Sequence, residues 1–346
     1  MKILVTGGSG FFGENLIMHL LREGHSCINF DINPPTNTDV IDNSHFIQGD
    51  IRDIESTSNQ LNEIDVVCHN VAQVPLAKNA QLFHDVNYLG TESLINLVVK
   101  KNISKIIYTS SSAIYGIPIA NPVSEATQPL PFEDYGRAKL AGENSVIEAA
   151  SKYGFKYVIA RPRTILGKGR LGIFQTLFDW TLKNYNLPVF DGGKNIYQFV
   201  HSDDLASAIC LLAVSDIEGD FNIGAEKYGS MRELLTHLIE ISESNSKIKS
   251  LDKSKIIKAM NIASFLRYSP LGPYHAQMYG SSMYFDISKI KKLGWSPNYS
   301  NNEAIQDSFN WYKNDYERFI SSNHGNLSAH KKGIKSSLMN IVGKML

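Results

Sequence analysis

The chain has 346 residues, of which 43% are hydrophobic and 20% are charged. This length and composition fit one large or two ordinary domains with a substantial core. The 34 basic residues balance 34 acidic residues, so the formal net charge is zero. That balance argues against a general nucleic-acid binder, whose affinity would rest on clustered positive charge.

The first predicted element is a strand that starts almost at the first residue. This apolar run, Lys2–Thr6, leaves no room for a signal peptide ahead of it. No apolar run approaches the length of a membrane span. The cysteines Cys27, Cys68 and Cys210 are too widely spaced to suggest a metal site or disulfides. We therefore expect a cytoplasmic protein with buried free thiols and no bound metal.

A glycine-rich turn follows that strand and is the most informative feature of the sequence. It reads Thr6-Gly7-Gly8-Ser9-Gly10-Phe11-Phe12-Gly13. In a dinucleotide-binding turn, the first glycine permits a tight exit from the strand, the second lets a pyrophosphate approach, and the third lets the next helix pack on the sheet. The phosphates then lie at the positive N-terminus of that helix.

The second predicted strand, Ser26–Asp31, ends in a carboxylate. A carboxylate at this point accepts hydrogen bonds from both adenosine ribose hydroxyls, and it repels the 2′-phosphate of NADP. No arginine follows immediately to offset that repulsion. The sequence therefore predicts that NAD is the cofactor, with Asp31 on its ribose.

Short apolar runs alternate with amphipathic helical stretches in the first half of the chain, as in an α/β protein with a Rossmann-type doubly wound parallel sheet. Strands are predicted near Lys2–Thr6, Ser26–Asp31, His45–Gln48, Asp65–Asn70, Lys105–Ser110 and Tyr157–Arg161. After Pro162 the alternation loosens, which predicts a smaller α+β substrate-binding region. We expect an NAD-binding domain over residues 1–165 and a substrate-binding region over 166–320. The two are expected to interleave, because Val200–Ala213 and Phe221–Ala225 can return to the first domain.

A serine-rich segment after the fifth strand and a Tyr-x-x-x-Lys pair suggest catalytic chemistry. Tyr135 and Lys139 are four residues apart, a spacing that places both on one face of a helix. An ammonium beside the phenol favours the phenolate and would lower the tyrosine pKa toward a useful general-base range. A serine hydroxyl at the strand end can hold the reacting oxygen, with Ser110, Ser111 and Ser112 as the candidates.

Together these motifs resemble the extended short-chain dehydrogenase/reductase family, the NAD-dependent epimerase/dehydratase group. The resemblance runs from Met1 to roughly Tyr316. Further matching segments are Gly49–Asp53, His69–Ala72, Asn87, Arg161-Pro162, Phe199–Asp204, Phe221–Gly224 and Leu293–Pro297.

The resemblance implies Tyr135 as the acid/base, Lys139 as its pKa partner and nicotinamide-ribose ligand, and Ser111 as the hydroxyl that aligns substrate. It also implies a homodimer, since the helix that bears Tyr135 often packs into a four-helix interface in this family. The implied cofactor-binding residues are Gly7, Gly10, Phe11, Phe12, Gly13, Asp31, Asp50, Ile51, Val71, Ala72, Tyr135, Lys139 and Pro162.

Departures from the family pattern bear on the reaction and the substrate. Ser112 and Ala113 replace the acidic pair of the sugar-nucleotide 4,6-dehydratases, which disfavours dehydration. Thr164 and Tyr197 stand where UDP-hexose 4-epimerases have a substrate-binding asparagine and arginine. The cations of the segment Arg161–Arg170 can clamp a phosphate, with a solvated loop as the alternative. The substrate-binding candidates are Ser112, Arg163, Thr164, Arg170 and Tyr197.

The expected function is NAD-dependent redox chemistry on a secondary alcohol of a nucleotide- or lipid-linked sugar, most simply epimerisation through a transient ketone. Arg161-Pro162 also resembles the 3β-hydroxysteroid dehydrogenase branch, so an oxidoreductase acting on a hydroxylated lipid is the alternative. A non-catalytic NAD-binding regulatory protein is a further alternative.

Residues 321–346 read as a linker followed by a basic amphipathic tail. Between Lys331 and Leu346 there is no acid, and apolar residues recur at helical spacing opposite lysines. Such a helix can lie on an anionic membrane surface or dock on a partner. The alternatives are a helix folded back on its own domain and a frayed terminus.

Overall fold

The computed structural model describes residues 1–73, 80–171, 173–255, 277–322 and 344. Within these ranges, seven parallel strands form one sheet in the order β11-β6-β5-β4-β1-β2-β3. Its strands are β1 (Lys2–Thr6), β2 (Ser26–Asp31), β3 (His45–Gln48), β4 (Val66–His69), β5 (Lys105–Thr109), β6 (Lys156–Pro162) and β11 (Gly219–Ile223). The six strands predicted from the sequence are confirmed to within one residue at each end.

Helices cover both faces of this sheet, which explains why its central strands are apolar throughout. In β1, Ile3 and Val5 belong to one core cluster and Leu4 to the other, because successive side chains of a strand point to opposite faces. The helices that follow the sheet strands are α1 (Phe11–Arg22), α2 (Thr38–Asn43), α3 (Ala80–His84), α4 (Gly90–Lys101), α5 (Asp134–Tyr153) and α7 (Ser202–Val214). Helices α1 and α7 pack on one face, and α4 and α5 on the other.

The strand order reverses between β1 and β4. The chain runs from β1 outward through β2 and β3, then returns to the opposite side of β1 for β4, β5 and β6. In an open parallel sheet, ligands bind beyond the carboxyl ends of the strands at such a reversal. The glycine turn after β1 and the serines after β5 lie at this edge, as expected for a doubly wound fold.

The second half of the chain builds a smaller unit with its own apolar cluster, which includes Phe178, Leu235 and Phe309. Its remaining elements are β7 (Thr164–Leu166), α6 (Ile173–Leu182), β8 (Leu187–Phe190), β9 (Ile196–Tyr197), β10 (Phe199–His201), β12 (Gly229–Ser230), α8 (Met231–Ile241), β13 (Ile248–Leu251), α9 (Ser288–Lys291) and α10 (Asn301–Ser322). Strand β11 returns to the main sheet beside β6, and α7 packs on α1. The two units therefore share strands and helices.

The end of α10 corrects one expectation. Ser321 and Ser322 belong to this helix rather than to a linker. The rest of the predicted linker and the basic tail fall almost wholly on residues 323–343 and 345–346, outside the described residues. Across the part of the chain that the structure describes, no helix combines the length and apolar character needed to cross a membrane.

Candidate functional site

The glycine turn wraps the N-terminus of α1 so tightly that two of its positions accept only glycine. Gly7 has φ +70°, and a Cβ on Gly13 would lie 2.1 Å from the Gly7 carbonyl oxygen. Gly10 is the N-cap of α1 and has no side chain to cap it. The backbone N–H groups of the first helical turn therefore surround an open cradle that suits an anion. Phe11 and Phe12, which follow, are buried in the core.

Asp31 ends β2 beside this turn. Its carboxylate accepts hydrogen bonds from the backbone N–H of Ser9, at 3.2 Å, and of Asn33, at 2.9 Å. These two amides fix the carboxylate at the edge of the cradle, in the position that the sequence predicts for a ribose ligand.

The other acidic candidate, Asp50, has a different environment. Its carboxylate accepts hydrogen bonds from Arg52 Nε at 3.0 Å and Arg52 Nη2 at 2.5 Å. The Arg52 guanidinium lowers the Asp50 pKa. Ile51 is buried, and its side chain fills the space left by Gly90. The adenine-side role of Asp50 and Ile51 stays a prediction.

The segment after β4 is held over the glycine turn by a buried asparagine. The Asn87 side chain accepts a hydrogen bond from the Gln73 backbone N–H at 2.7 Å and donates to the Gln73 carbonyl at 3.0 Å. Val71 N lies 2.9 Å from the point where a Cβ on Gly7 would stand. Asn87 therefore positions Val71 and Ala72 against the predicted cofactor cleft.

Ser111 and Tyr135 meet at the carboxyl edge of the sheet. Ser111 is the N-cap of a short 3₁₀ helix, Ser112–Tyr115, and its Oγ accepts a hydrogen bond from Ala113 N–H at 3.1 Å. The Ser111 side chain lowers the pKa of the Tyr135 hydroxyl, so the two groups act on each other. Tyr135 stands in the first turn of α5, where the Glu133 carboxylate caps its backbone N–H at 2.8 Å.

The three adjacent serines have distinct partners. Ser110 is buried, and its Oγ has no hydrogen-bond partner in the described part of the chain. Ser112 Oγ accepts a hydrogen bond from Arg163 Nη1 at 2.8 Å. Of the three serines, Ser111 is the one whose side chain lowers the Tyr135 pKa, which favours Ser111 as the aligning hydroxyl.

Lys139 lies one helical turn after Tyr135 and is fully buried. Its Nζ donates to the Thr109 carbonyl at 2.8 Å and lies 4.8 Å from the centre of the Tyr108 ring. Burial lowers the Lys139 pKa to about 7, and the Glu143 carboxylate, one turn further along the helix, opposes this shift.

The electrostatics of Tyr135 differ from the sequence-based expectation. Burial raises the Tyr135 pKa to about 12, while the Ser111 side chain and the charge of Arg170 act in the opposite direction. Lys139 does not lower this pKa, because its own pKa of about 7 leaves it neutral at the pH where the phenol ionises. Among the described residues, Arg170 is the cation whose charge lowers the Tyr135 pKa.

Four of the five substrate-binding candidates form one connected group. Arg163 is buried between the rings of Tyr197 and Phe285, and Nη1 donates to Ser112. The Tyr197 and Thr164 hydroxyls are 3.0 Å apart. The structure thus brings Thr164 and Tyr197 together, and their role in substrate binding stays a prediction.

The cations of the segment Arg161–Arg170 have different partners. Arg161 is paired with Glu143 and Asp220, Arg163 is buried against Ser112, and the exposed Lys168 pairs with Asp307 at 3.6 Å. Arg170 lies over the ring of Phe11. Acids of the fold therefore engage Arg161 and Lys168, and phosphate binding by this segment stays a prediction.

Comparisons with known proteins agree with this geometry. Residues 3–224 match the sequence model of the NAD dependent epimerase/dehydratase family. The chain is 49% identical to an uncharacterised protein, y4nG, of Sinorhizobium fredii, over 97% of this chain and 84% of that one. It is 30% identical to a putative UDP-glucose 4-epimerase of Methanocaldococcus jannaschii, over 90% of this chain and 99% of that protein.

The chain belongs to the NAD-dependent epimerase/dehydratase family. Among solved structures, it resembles UDP-glucuronic acid 4-epimerase from Bacillus cereus in complex with NAD, with 26% identity and a TM-score of 0.74. That alignment covers 90% of this chain and 99% of the other. The protein is accordingly an enzyme of an NAD-dependent family, and its cofactor is NAD.

In this family member, the residues at the sheet edge fit NAD. At Gly7 and Gly13, neighbouring backbone atoms occupy the space that a Cβ would need. Because neither residue has a side chain, the turn can close tightly and the N-terminus of α1 stays open to the pyrophosphate. Asp31 is fixed beside it for the ribose, and Pro162 is buried at the carboxyl end of β6. The individual cofactor contacts stay predictions.

Sequence reasoning missed one group of this epimerase/dehydratase-family site. Glu143 is buried, and both of its carboxylate oxygens accept hydrogen bonds from Arg161. Arg161 also donates to the Tyr115 hydroxyl at 3.0 Å and to Asp220 at 2.6 Å. The signal was present: Glu143 follows Lys139 by four residues and so shares its helix face.

Proposed function

We propose that this protein is a sugar-nucleotide epimerase that oxidises a secondary alcohol to a transient ketone and reduces it again from the opposite face. The observation that carries the proposal is the placement of Ser111, whose side chain lowers the Tyr135 pKa, at the carboxyl edge of the sheet with buried Lys139 one helical turn after Tyr135. This arrangement at the carboxyl edge of the sheet supports proton transfer at a carbinol oxygen beside the NAD cleft.

The protein supplies proton transfer and positioning. Tyr135 takes the proton from the substrate hydroxyl during oxidation and returns a proton to the same oxygen during reduction. Ser111 holds that oxygen by a hydrogen bond, and Lys139 holds positive charge beneath the phenol. NAD, when bound, accepts the hydride from the carbinol carbon and gives it back.

The absence of an acid after Ser111 supports epimerisation over dehydration. Elimination of water from the sugar needs a group that abstracts and returns a further proton. Ser112 and Ala113 follow Ser111, both are buried, and neither carries a carboxyl group. The Ser112 hydroxyl is engaged by Arg163 at 2.8 Å. The turn after β5 therefore offers a hydroxyl for alignment and no acid.

The substrate proposed is a nucleotide-activated sugar. The printed names of relatives and structural neighbours support this class, among them UDP-glucose and UDP-glucuronic acid 4-epimerases. Thr164 and Tyr197 are placed to contribute hydroxyls in place of an amide and a guanidinium. A hydroxylated lipid, or a lipid-linked sugar, is the alternative that the test below distinguishes.

The first experiment is to purify the protein without added cofactor, denature it, and count the nicotinamide nucleotide released per chain. An epimerase recycles its cofactor, so near-stoichiometric NAD is expected, and UDP-sugars are then screened for epimerisation. An empty protein that binds added NAD reversibly would instead favour a net dehydrogenase, with hydroxylated lipids as the next substrates. Firm NAD binding without hydride exchange on any substrate would favour a regulatory protein.

We further propose a homodimer that forms through α5 and the helical segment that contains His84 and Tyr88. An open groove of about 350 Å³ runs between them, lined by His84, Tyr88, Asp134, Arg137, Ala138 and Ala141. Two of these residues, Ala138 and Ala141, have small side chains that allow a second helix to approach α5. Light scattering coupled to gel filtration should give twice the chain mass of 38.6 kDa. An Ala141→Arg variant should shift the protein to monomer, and a wild-type monomer would refute the proposal.

A further inference from the structure

Arg170 differs from Arg161 and Lys168 of its segment because none of the described acidic residues forms an ion pair with it. It follows a turn in which its own N–H donates to the Gly167 carbonyl at 3.1 Å. Its side chain is half-buried, and its Nε and Nη1 are inaccessible to solvent and have no hydrogen-bond partner within the described residues. Its guanidinium carbon lies 5.8 Å from the centre of the Phe11 ring.

The surroundings of Arg170 place it between the two halves of the reaction site. Phe11 belongs to the glycine turn that receives the cofactor phosphates, and Tyr135 is the proposed acid/base. The charge of Arg170 and the phenol of Tyr135 act on each other, and burial lowers the Arg170 pKa to about 10. The fold thus keeps a guanidinium whose Nε and Nη1 are unused and shielded from solvent beside the glycine turn, where its charge and Tyr135 act on each other.

A buried guanidinium with unused N–H groups is costly for a fold unless a ligand completes its hydrogen bonds. Arginine has a planar fork of donors that matches the two oxygens of a carboxylate or phosphate. We infer that Arg170 is an anion receptor, which takes a carboxylate or phosphate oxygen of a ligand bound between the glycine turn and Tyr135. This inference rests on the proposed site, and it adds an anionic group to the ligand chemistry.

Two ligands can supply the oxyanion: the diphosphate of NAD, or an acidic group on the substrate near its reacting carbon. The test therefore compares wild type with Arg170→Met, which removes the charge, and Arg170→Lys, which keeps it without the fork. Lys168→Met is the matched control, because Lys168 lies in the same turn but is largely exposed. Equilibrium dissociation constants are measured by calorimetry for NAD, and then for UDP-glucuronic acid and UDP-glucose with NAD at saturation.

One of two losses is expected for Arg170→Met. A 10- to 100-fold weaker affinity for NAD, about what a charge-assisted hydrogen bond contributes, would assign the oxyanion to the cofactor. An unchanged affinity for NAD together with a similar loss of affinity for UDP-glucuronic acid would assign the oxyanion to the substrate. If the affinity for UDP-glucose is also unchanged, the oxyanion is the carboxylate of UDP-glucuronic acid. Arg170→Lys should recover part of the loss, and it carries the test if Arg170→Met does not fold.

The inference is overturned if the affinity for NAD and for both sugar nucleotides stays within twofold of wild type in Arg170→Met, or if Lys168→Met weakens binding equally. A wild-type protein that binds neither sugar nucleotide counts against the proposed function instead. In that case the NAD measurement alone decides the role of Arg170, and an unchanged NAD affinity overturns it.

Discussion

Replacing Glu143 with glutamine tests whether the buried ion pair with Arg161 holds the catalytic helix to the sheet. Glu143 and Arg161 are 1% and 7% exposed at their side chains, and Arg161 Nη2 lies 2.7 Å from Glu143 Oε2. Removing one partner of a buried pair costs about 3–5 kcal/mol, because the remaining charge loses its counter-charge. Asp220 and Tyr115 still hold Arg161, so we expect the lower end, about 3 kcal/mol.

The assay is urea unfolding followed by far-ultraviolet circular dichroism. Glu148→Gln is the matched control, because it makes the same chemical change on the same helix at an exposed position. We expect this control to stay within about 0.5 kcal/mol of wild type. If Glu143→Gln unfolds with the same free energy as Glu148→Gln, the ion pair does not stabilise the fold and this reasoning fails.

The same substitution has a functional consequence that a purely structural role would not produce. The Glu143 carboxylate raises the Lys139 pKa against the opposing effect of burial. Without it, the Lys139 pKa falls below its value of about 7. If catalysis needs the ammonium, activity is lost as pH rises through this pKa, so the alkaline limb of the kcat profile should move to lower pH. An unmoved limb with normal turnover would contradict the proposed coupling.

Four further predictions follow from the same geometry. Tyr135→Phe should lower turnover by a factor of about 10² or more, since it removes the acid/base hydroxyl; near-native turnover would exclude that role. Gly13→Ala should weaken NAD binding at least about tenfold, measured by calorimetry, because its Cβ would meet the Gly7 carbonyl oxygen at 2.1 Å. Lys139→Met should raise the melting temperature of the cofactor-free protein, because burying the Lys139 charge destabilises the wild-type fold. The Lys139 pKa is about 7 in the folded state and 10.5 in the unfolded state. This destabilisation is therefore full below pH 7 and disappears as the pH rises toward 10.5. An equal difference at pH 6 and pH 10 would refute that cause. A chain that ends at Asn326 should keep its activity on a water-soluble sugar nucleotide. It should lose any binding to anionic vesicles, measured by flotation. If the full-length protein does not float with the vesicles, the tail does not bind membrane.

Local sequence signals identified the elements whose function depends on backbone geometry. The spacing of Gly7, Gly10 and Gly13 predicted a cofactor turn, and a Cβ at the last position would collide with backbone. Asp31 was predicted at a strand end and stands there, fixed by two amides. Such features are set within a few residues of chain, so a single sequence suffices to find them.

The charges around the site were less predictable, because they depend on which residues are brought together from distant parts of the chain. Lys139 is four residues from Tyr135, yet burial lowers its own pKa to about 7, and among the described cations it is Arg170 whose charge lowers the Tyr135 pKa. Glu143 was overlooked because its partner, Arg161, is on a different element. Helical spacing shows which residues share a face, but not which atoms complete their hydrogen bonds.

The sequence by itself determined the parallel sheet, the glycine cradle, the preference for NAD and the Ser-Tyr-Lys set, because strand periodicity and short motifs encode them locally. Only the tertiary structure decided that Arg163 and Lys168 are engaged by the fold. It also left Arg170 with unused donors beside the phenol. The physical reason is that burial and long-range pairing set the charge and hydrogen bonding of each group, and both depend on the packed chain as a whole.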